Sequence, residues 1–407
     1  MATFSDLVTF TRSGTATYVD STGTYQTAAD GDPRIGHHVY ENGVWVNKGL
    51  LVESEAATDL FTQSGDMDAG AWSSFRADLS DGDDAPYGSE KYLLGEANAT
   101  NANGSAVANQ SIALSAKKYT WTVHAKAGPS DPGFLALRPT LGSNFNDAVV
   151  VWFDLSTGTV SSTTSASGSS VVTSPVADIK EVGAGEYLCI LTFTVTSADT
   201  IDCRHYVSDG DAGLSVTTGK QVQVWGAKIE EGEVPSEYIP TTTAAVTRSG
   251  ESATVPAAKL PDLSGGATFI LEGALDYADT GLFSEGVLLN LFLDANNAIR
   301  LKLDTQGTNT GNFIWQLKES GSFYTVSTPD DLLSPDLDVP FKIAVTMSNS
   351  EIGMTVDGTS YTSVSVPGLP DFSGVDMKIG DLFQGTFSLV RVFDTVLSEA
   401  DRESETS

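Results

Sequence analysis

Apolar and polar residues alternate one by one along most of this chain, and the 3.6-residue recurrence of an amphipathic helix is almost absent. Side chains of an extended strand point to opposite faces in turn, so this alternation predicts strands with one face toward a core. Representative runs are Tyr119–Ala127, Ala148–Leu155, Tyr187–Val195, Gln221–Ile229, Thr268–Leu275, Ile299–Leu303, Phe341–Met347 and Thr386–Phe393. Turn signals punctuate them at Asn42-Gly43, Ser156–Gly158, Asp209-Gly210 and Asp357-Gly358, the last between IGMTV and TSYTSV as a hairpin signal. Many short strands at this spacing predict an all-β chain of sandwich or jelly-roll type. Helix is expected only as short turns, chiefly over 398–403, where Ser398 precedes Asp401 by three residues, the spacing of a capping box.

With 407 residues the chain exceeds the roughly 250–300 that a single hydrophobic core serves. Two consecutive β-sandwich domains are therefore predicted, residues 1–246 and 262–407, with 247–261 as linker, because alternation fades through IPTTTAAVTRSGESATVPAAKLPDLSGG. Within that stretch Thr247–Gly250 reads TRSG and repeats Thr11–Gly14, so the same four residues bracket the first domain. The run Ser161–Ser170 predicts a flexible loop, and the residues before Phe10 are short enough to be a docking strand.

Charge narrows the partners. There are 53 Asp and Glu against 22 Lys and Arg, a net charge of −31. Phosphate backbones and anionic headgroups are repelled, so neither nucleic acid nor membrane is an expected partner. The acidity suits a protein that stays soluble in salt, or one that holds divalent cations. The opening MATFSDLVTFTRSG has no basic and apolar leader, and no run of about 18 apolar residues follows, so neither a secretion signal nor a membrane span is predicted. Cys189 and Cys203 occupy inward positions and read as reduced core thiols.

Catalytic signatures are missing: the chain has no nucleophile elbow, zinc-helix motif, C-x-x-C or phosphate loop. The expectation is no catalytic residue and no enzyme. Of His37, His38, His124 and His205, the last two with Cys203 form a conceivable metal set, although ordinary core or surface histidines are the simpler assignment. Asp78, Asp81, Asp83 and Asp84, with Gly82 for a sharp turn, are candidate Ca2+ ligands, the alternative being a solvated acidic loop. Sugar rings stack on exposed aromatic faces. Trp121, Trp152 and Trp225 lie inside strands and read as core; Trp72, Phe75, Tyr87 and Tyr92 around the acidic turn, and Trp315 and Tyr324 on a polar hairpin, are the candidate glycan-binding residues.

An ordered series of segments carries a resemblance. FTRSGTATYVDSTGTYQTAADGDPRIGHHVYENG from Phe10, GLLVESEAATDLF at 49–61, a DAPYG loop before SEKYLL, GEYLC at 185–189 and VWGAKIEEGEVPSEYIPTTTAAVTRSG at 224–250 resemble the head spike fibre domain of tailed phages and gene transfer agents, over roughly residues 8–252. The segments ATFILEG, VPFKIAVTMSNSEIGMTVDGTSYTSV and FSLVRVFDTVLSEADRE make residues 262–407 similar to a concanavalin-like or laminin-G-like lectin sandwich. Together the resemblances imply a virion surface spike or fibre protein that attaches to host cell-surface glycans. They imply other virion proteins of capsid or tail as partners, a homo-oligomer, and assembly in the bacterial host cytoplasm with release by lysis. A purely structural anchor or decoration protein and a polysaccharide depolymerase are the alternatives. The net charge favours a neutral or mildly cationic glycan, bound weakly at each site and strengthened by many copies.

Overall fold

The computed structural model describes residues 4–165, 170–210, 213–278, 285–305 and 310–407. Strand makes up 60% of it and helix 3%, as the alternation predicts. The first sandwich packs two six-stranded sheets. One has the order Thr159–Ser165, Asn144–Asp154, Phe134–Leu141, Asp199–Ser208, Ser105–Leu114, Ser73–Phe75; the other runs Val172–Gly183, Glu186–Val195, Lys118–Ala127, Gln221–Glu231, Lys91–Ala97, Ala77–Asp84. Alternate residues of both, among them Trp121, Leu137, Phe153, Phe193 and Ile229, fill the space between. Cys189 and Cys203 are free thiols in that core, and burial pushes both thiols up. Of the serine-rich run, Thr159–Ser165 continues a strand against Asn144–Asp154, and 166–169 lie outside the described residues.

The second sandwich packs two seven-stranded sheets. One has the order Thr9–Thr11, Ser252–Val255, Met377–Leu382, Gly286–Asp294, Asn297–Asp304, Asn312–Glu319, Ser322–Ser327; the other runs Thr359–Ser365, Glu351–Val356, Asp336–Met347, Ala267–Tyr277, Gln384–Phe393, Val44–Glu53, Arg34–Glu41. The strand Thr359–Ser365 follows a turn in which Asp357 and Gly358 both have positive φ, the hairpin geometry that Asp-Gly favours. The helix Glu399–Thr406 begins where the capping spacing places it, with the Ser398 hydroxyl accepting from the Asp401 N–H at 3.2 Å.

Strand pairing departs from the expected division. Arg34–Glu53, placed by sequence with the first domain, builds the second: Leu50 stands opposite Phe387 and Val52 opposite Gly385, and both side chains enter the second core. The segment 247–261 is more than a linker, since Ser252–Val255 lies between Thr9–Thr11 and Met377–Leu382, with Ala253 and Val255 buried. Alternation reveals that a strand has a buried face; it carries no information about which strand, hundreds of residues away, lies alongside.

The repeated TRSG acquires a meaning where the N-terminal arm, residues 8–55, the chain leaving the first sandwich and the second sandwich meet. Arg12 and Arg248, the two arginines of the repeat, are buried there with Arg34, Glu53 and Glu251. Arg34 grips Glu251 with two parallel bonds, Nε–Oε1 at 2.9 Å and Nη2–Oε2 at 2.6 Å, and reaches Glu53 Oε2 at 2.7 Å. Arg12 Nη1 donates to Glu251 Oε1 at 2.8 Å, and Arg248 Nε stands 3.1 Å from Glu53 Oε2. Buried charge is tolerable only when paired in this way. Lys180 of the first sandwich adds an ion pair to Asp338 of the second.

These carboxylates give stability an acid and an alkaline limb. Burial pushes Glu53 up, but Arg34 and Arg248 outweigh it and hold the group down to about 2. Glu237, half-buried beside Glu53, is pushed up to about 7, and burial pushes Asp276 up to about 6. The contribution of Glu53 is present above its ordinary 4.5 and is lost as pH falls toward 2. That of Glu237 is present below 4.5 and is lost as pH rises through 7. Glu237, whose side chain keeps some contact with solvent, is therefore expected to contribute a decline of about 2 kcal/mol between pH 4.5 and neutrality. Melting temperature against pH checks this: Glu237→Gln should flatten the alkaline limb, and an unaltered slope in that variant refutes the assignment.

Candidate functional site

Burial removes three of the predicted sugar platforms. Trp315 has no exposed surface; its indole N–H donates to the Thr346 carbonyl at 2.9 Å and its ring meets Phe269. Trp72 donates to the Gln63 carbonyl at 2.9 Å and packs on Phe61 and His205, while Tyr92 lies against Trp225. None of these rings has a free face. Polar neighbours suggest exposure at Trp315, yet those neighbours, Gln316 and Lys318, take the outward positions and turn the tryptophan in. Tyr87 and Tyr324 are half-buried, against Tyr238 and the second core respectively. Phe75 is exposed, with the Arg76 guanidinium 4.7 Å from its ring centre. Trp121, Trp152 and Trp225 are all buried, in three separate clusters.

The acidic run is a strand and not a loop. Ala77–Asp84 forms the outermost strand of its sheet, and its carboxylates diverge: Asp84 pairs with Lys91, Asp78 accepts from Asn98 at 3.1 Å, and Asp83 lies 3.4 Å from Lys126. Among the described residues no three His, Cys, Asp or Glu side chains are placed to hold a metal ion, at Asp78, Asp81, Asp83 and Asp84 or at Cys203, His205 and His124. Repeated charge along an open sheet edge opposes pairing with another chain, which accounts for the acidic density. His205 Nδ1–H donates to the Ala108 carbonyl, and burial lowers its pKa to about 3, so it is neutral; His124 instead meets Glu186 and Tyr25, each at 3.2 Å.

The outward face of the second sandwich brings together what no single segment shows. Thr254, Lys378, Asn290, Arg300, Gln316 and Thr325 stand opposite one another in successive strand pairings, so they form one polar row across the sheet. Their inward neighbours, including Leu289, Leu291, Ile299, Leu301 and Trp315, hold the row on a rigid core. Beside it runs a second row of Phe292, Ala298, Lys318 and Phe323. Phe292 is 51% and Phe323 60% exposed. The Arg300 guanidinium lies 5.6 Å from the Phe292 ring centre, and the Lys318 ammonium 5.0 Å from that of Phe323.

The polar groups hold one another in place. Asp381 accepts from Lys378 at 2.7 Å and from Asn290 Nδ2 at 2.8 Å, and Asn290 Oδ1 accepts from Arg300 Nε at 3.2 Å. They line a groove of about 650 Å³ with Phe292, Leu293, Thr254 and Asp376, in which Arg300 and Lys378 balance Asp376 and Asp381. Side chains locked by mutual hydrogen bonds lose little further freedom when a ligand arrives. The arrangement can therefore stack a ring on Phe292 while donors and acceptors of fixed direction meet its hydroxyls. Sequence reasoning missed these residues because Phe292 sits in an apolar run, VLLNLFLD, that reads as core throughout; Asn290 and Arg300, polar within apolar strands, are the available signal.

No protein family matches the chain, and no curated protein does. Solved structures similar to it include toad ovary galectin in complex with thio-digalactose, at 12% identity over 34% of this chain and 96% of that one with a TM-score of 0.26. An ancestral congerin is similar at 11% identity, 33% and 95% coverage and a TM-score of 0.23. Domains LG4-5 of the mouse laminin α1 chain are similar at 12% identity, 77% and 92% coverage and a TM-score of 0.25. At these TM-scores the likenesses carry no functional argument. The class, a protein of two β-sandwiches, rests on the strand pairing itself.

Proposed function

We propose that the chain is a glycan-binding protein whose second sandwich takes a neutral sugar on its outward face. Phe292 is the stacking platform, and Arg300, Lys378 and Asp381 are the hydrogen-bonding groups, held in place by the buried Asn290. The observation that carries this is the polar row, locked by its own hydrogen bonds and set beside an exposed phenyl ring in a groove without net charge. A pyranose has one apolar face and a rim of hydroxyls that both donate and accept, which is what such a surface complements. Binding, without turnover, is the whole of the activity in this reading. Affinity at one site is weak, since little apolar area is covered and polar groups exchange water for sugar. Many copies supply the strength.

The resemblance of residues 8–252 to head spike fibre domains supports placing this binding on a virion surface, with host glycan as ligand and capsid or tail proteins as neighbours. A homo-oligomer there multiplies the sites. Phe292→Ala and Arg300→Ala are each expected to weaken binding on a glycan array about tenfold, the scale of one lost stacking or charged hydrogen-bonding contact, with little change in melting temperature. Trp315→Ala, in contrast, should lower the melting temperature. If both groove variants bind as the parent does, the site is wrong. If particles lacking the protein still adsorb to host cells, the role is structural, and sustained release of oligosaccharides from host polysaccharide would make it a depolymerase.

A further inference from the structure

We infer that the outward face of the first sandwich is a second binding face, and that it takes a carboxylate-bearing sugar. Arg204 stands opposite Asn109 on one neighbouring strand and opposite Arg138 on the other, so two guanidinium groups share one side of the sheet. Like charges directly opposite each other destabilise a sheet unless an anion is near. Arg204 has one, Asp202 at 3.2 Å; it also donates to the Tyr206 hydroxyl at 3.2 Å and lies over the Phe145 ring, 4.4 Å from its centre. Arg138 donates to the Phe145 carbonyl at 2.7 Å and forms no ion pair among the described residues. Three polar atoms of this cluster, Nε of Arg138, Nε of Arg204 and Oδ1 of Asn109, are buried without a hydrogen-bond partner.

In a chain with 53 acidic and 22 basic residues, an arginine left without a carboxylate beside a second arginine runs against the composition. The missing counter-charge is a carboxylate, which guanidinium matches with two parallel N–H···O bonds. Phe145, 46% exposed on the hairpin that both arginines hold, offers an apolar face for the sugar ring carrying that carboxylate. The net charge of the whole protein does not prevent this, since beyond about 8 Å it is screened at physiological ionic strength and the local pair decides. The sugar identity of the ligand rests on the glycan-binding reading above. With it, the two sandwiches read different residues of one acidic heteropolysaccharide, neutral on the second and acidic on the first.

Titration of the full chain with a galacturonic acid trisaccharide, using the galactose trisaccharide as uncharged control, tests this by calorimetry. The acidic sugar should bind, more weakly in high salt, and Arg138→Gln should reduce its affinity about tenfold while leaving galactose binding unchanged. Arg138→Lys keeps the charge and loses the fork, and should fall between the two. Galacturonate binding that survives Phe292→Ala supports the second face even where galactose fails to bind, so the two readings fail separately. Equal galacturonate affinity in Arg138→Gln and the parent, or no galacturonate binding by the parent, overturns the inference.

Discussion

A fragment cut to residues 252–407 is expected to be insoluble or molten, although it holds most strands of the second sandwich. Without the arm, the strand Gln384–Phe393 has an open edge where Val44–Glu53 should lie, and the core lacks Leu50 and Val52. Burying an aliphatic side chain of this size contributes about 1.5–3 kcal/mol, so these two alone supply about 3–6 kcal/mol. A domain has only about 5–15 kcal/mol in total. Appending residues 8–55 through a flexible linker should restore a cooperative thermal transition. A point change should act at the same contact: Gly49 has φ +86°, and a Cβ there would meet the Phe387 carbonyl oxygen at 2.3 Å, so Gly49→Ala should destabilise the full chain by prising the arm from its partner. A soluble 252–407 fragment with a sharp transition would show that the arm is an accessory.

Glu251→Ala should be the most damaging single substitution in the chain. The carboxylate accepts from Arg12 and Arg34, and from the Glu53 backbone N–H at 2.9 Å. Removing it leaves Arg12 and Arg34 buried with Glu53 as the remaining anion, already shared with Arg248. Breaking a buried pair by deleting one partner costs about 3–5 kcal/mol, because the surviving charge keeps its desolvation penalty. The urea midpoint measures it, and the slope should change too if the arm detaches before the sandwiches unfold. A loss below about 1 kcal/mol would mean that water reaches the junction and the pairing is worth no more than on a surface.

Much of this architecture is written locally. Asn42-Gly43 and Asp357-Gly358 turn with positive φ because those residues tolerate it, and Ser398 starts a helix because its hydroxyl can reach the Asp401 N–H. Cys189, Cys203 and Trp121 lie inside because alternation within their own strands puts them there. Each of these features depends on residues a few positions apart, which a sequence states outright.

The rest depends on what is brought alongside. Trp315 and Phe292 both sit in strands of mixed character, and one is sealed in the core while the other is half exposed, because only the strand pairing decides which face the opposite sheet covers. The Asp78–Asp84 carboxylates are dense in sequence and dispersed in space, since an extended strand sends successive side chains to opposite sides. The TRSG repeat was visible as a pattern, but its arginines became a junction only when Arg34, Glu53 and Glu251 closed around them across more than 200 residues. Sequence by itself determined the strands, their turns and their inward faces, through interactions of short range. Tertiary structure alone decided which strands are neighbours, and with that which arginines are neutralised in the interior and which lie beside an exposed ring.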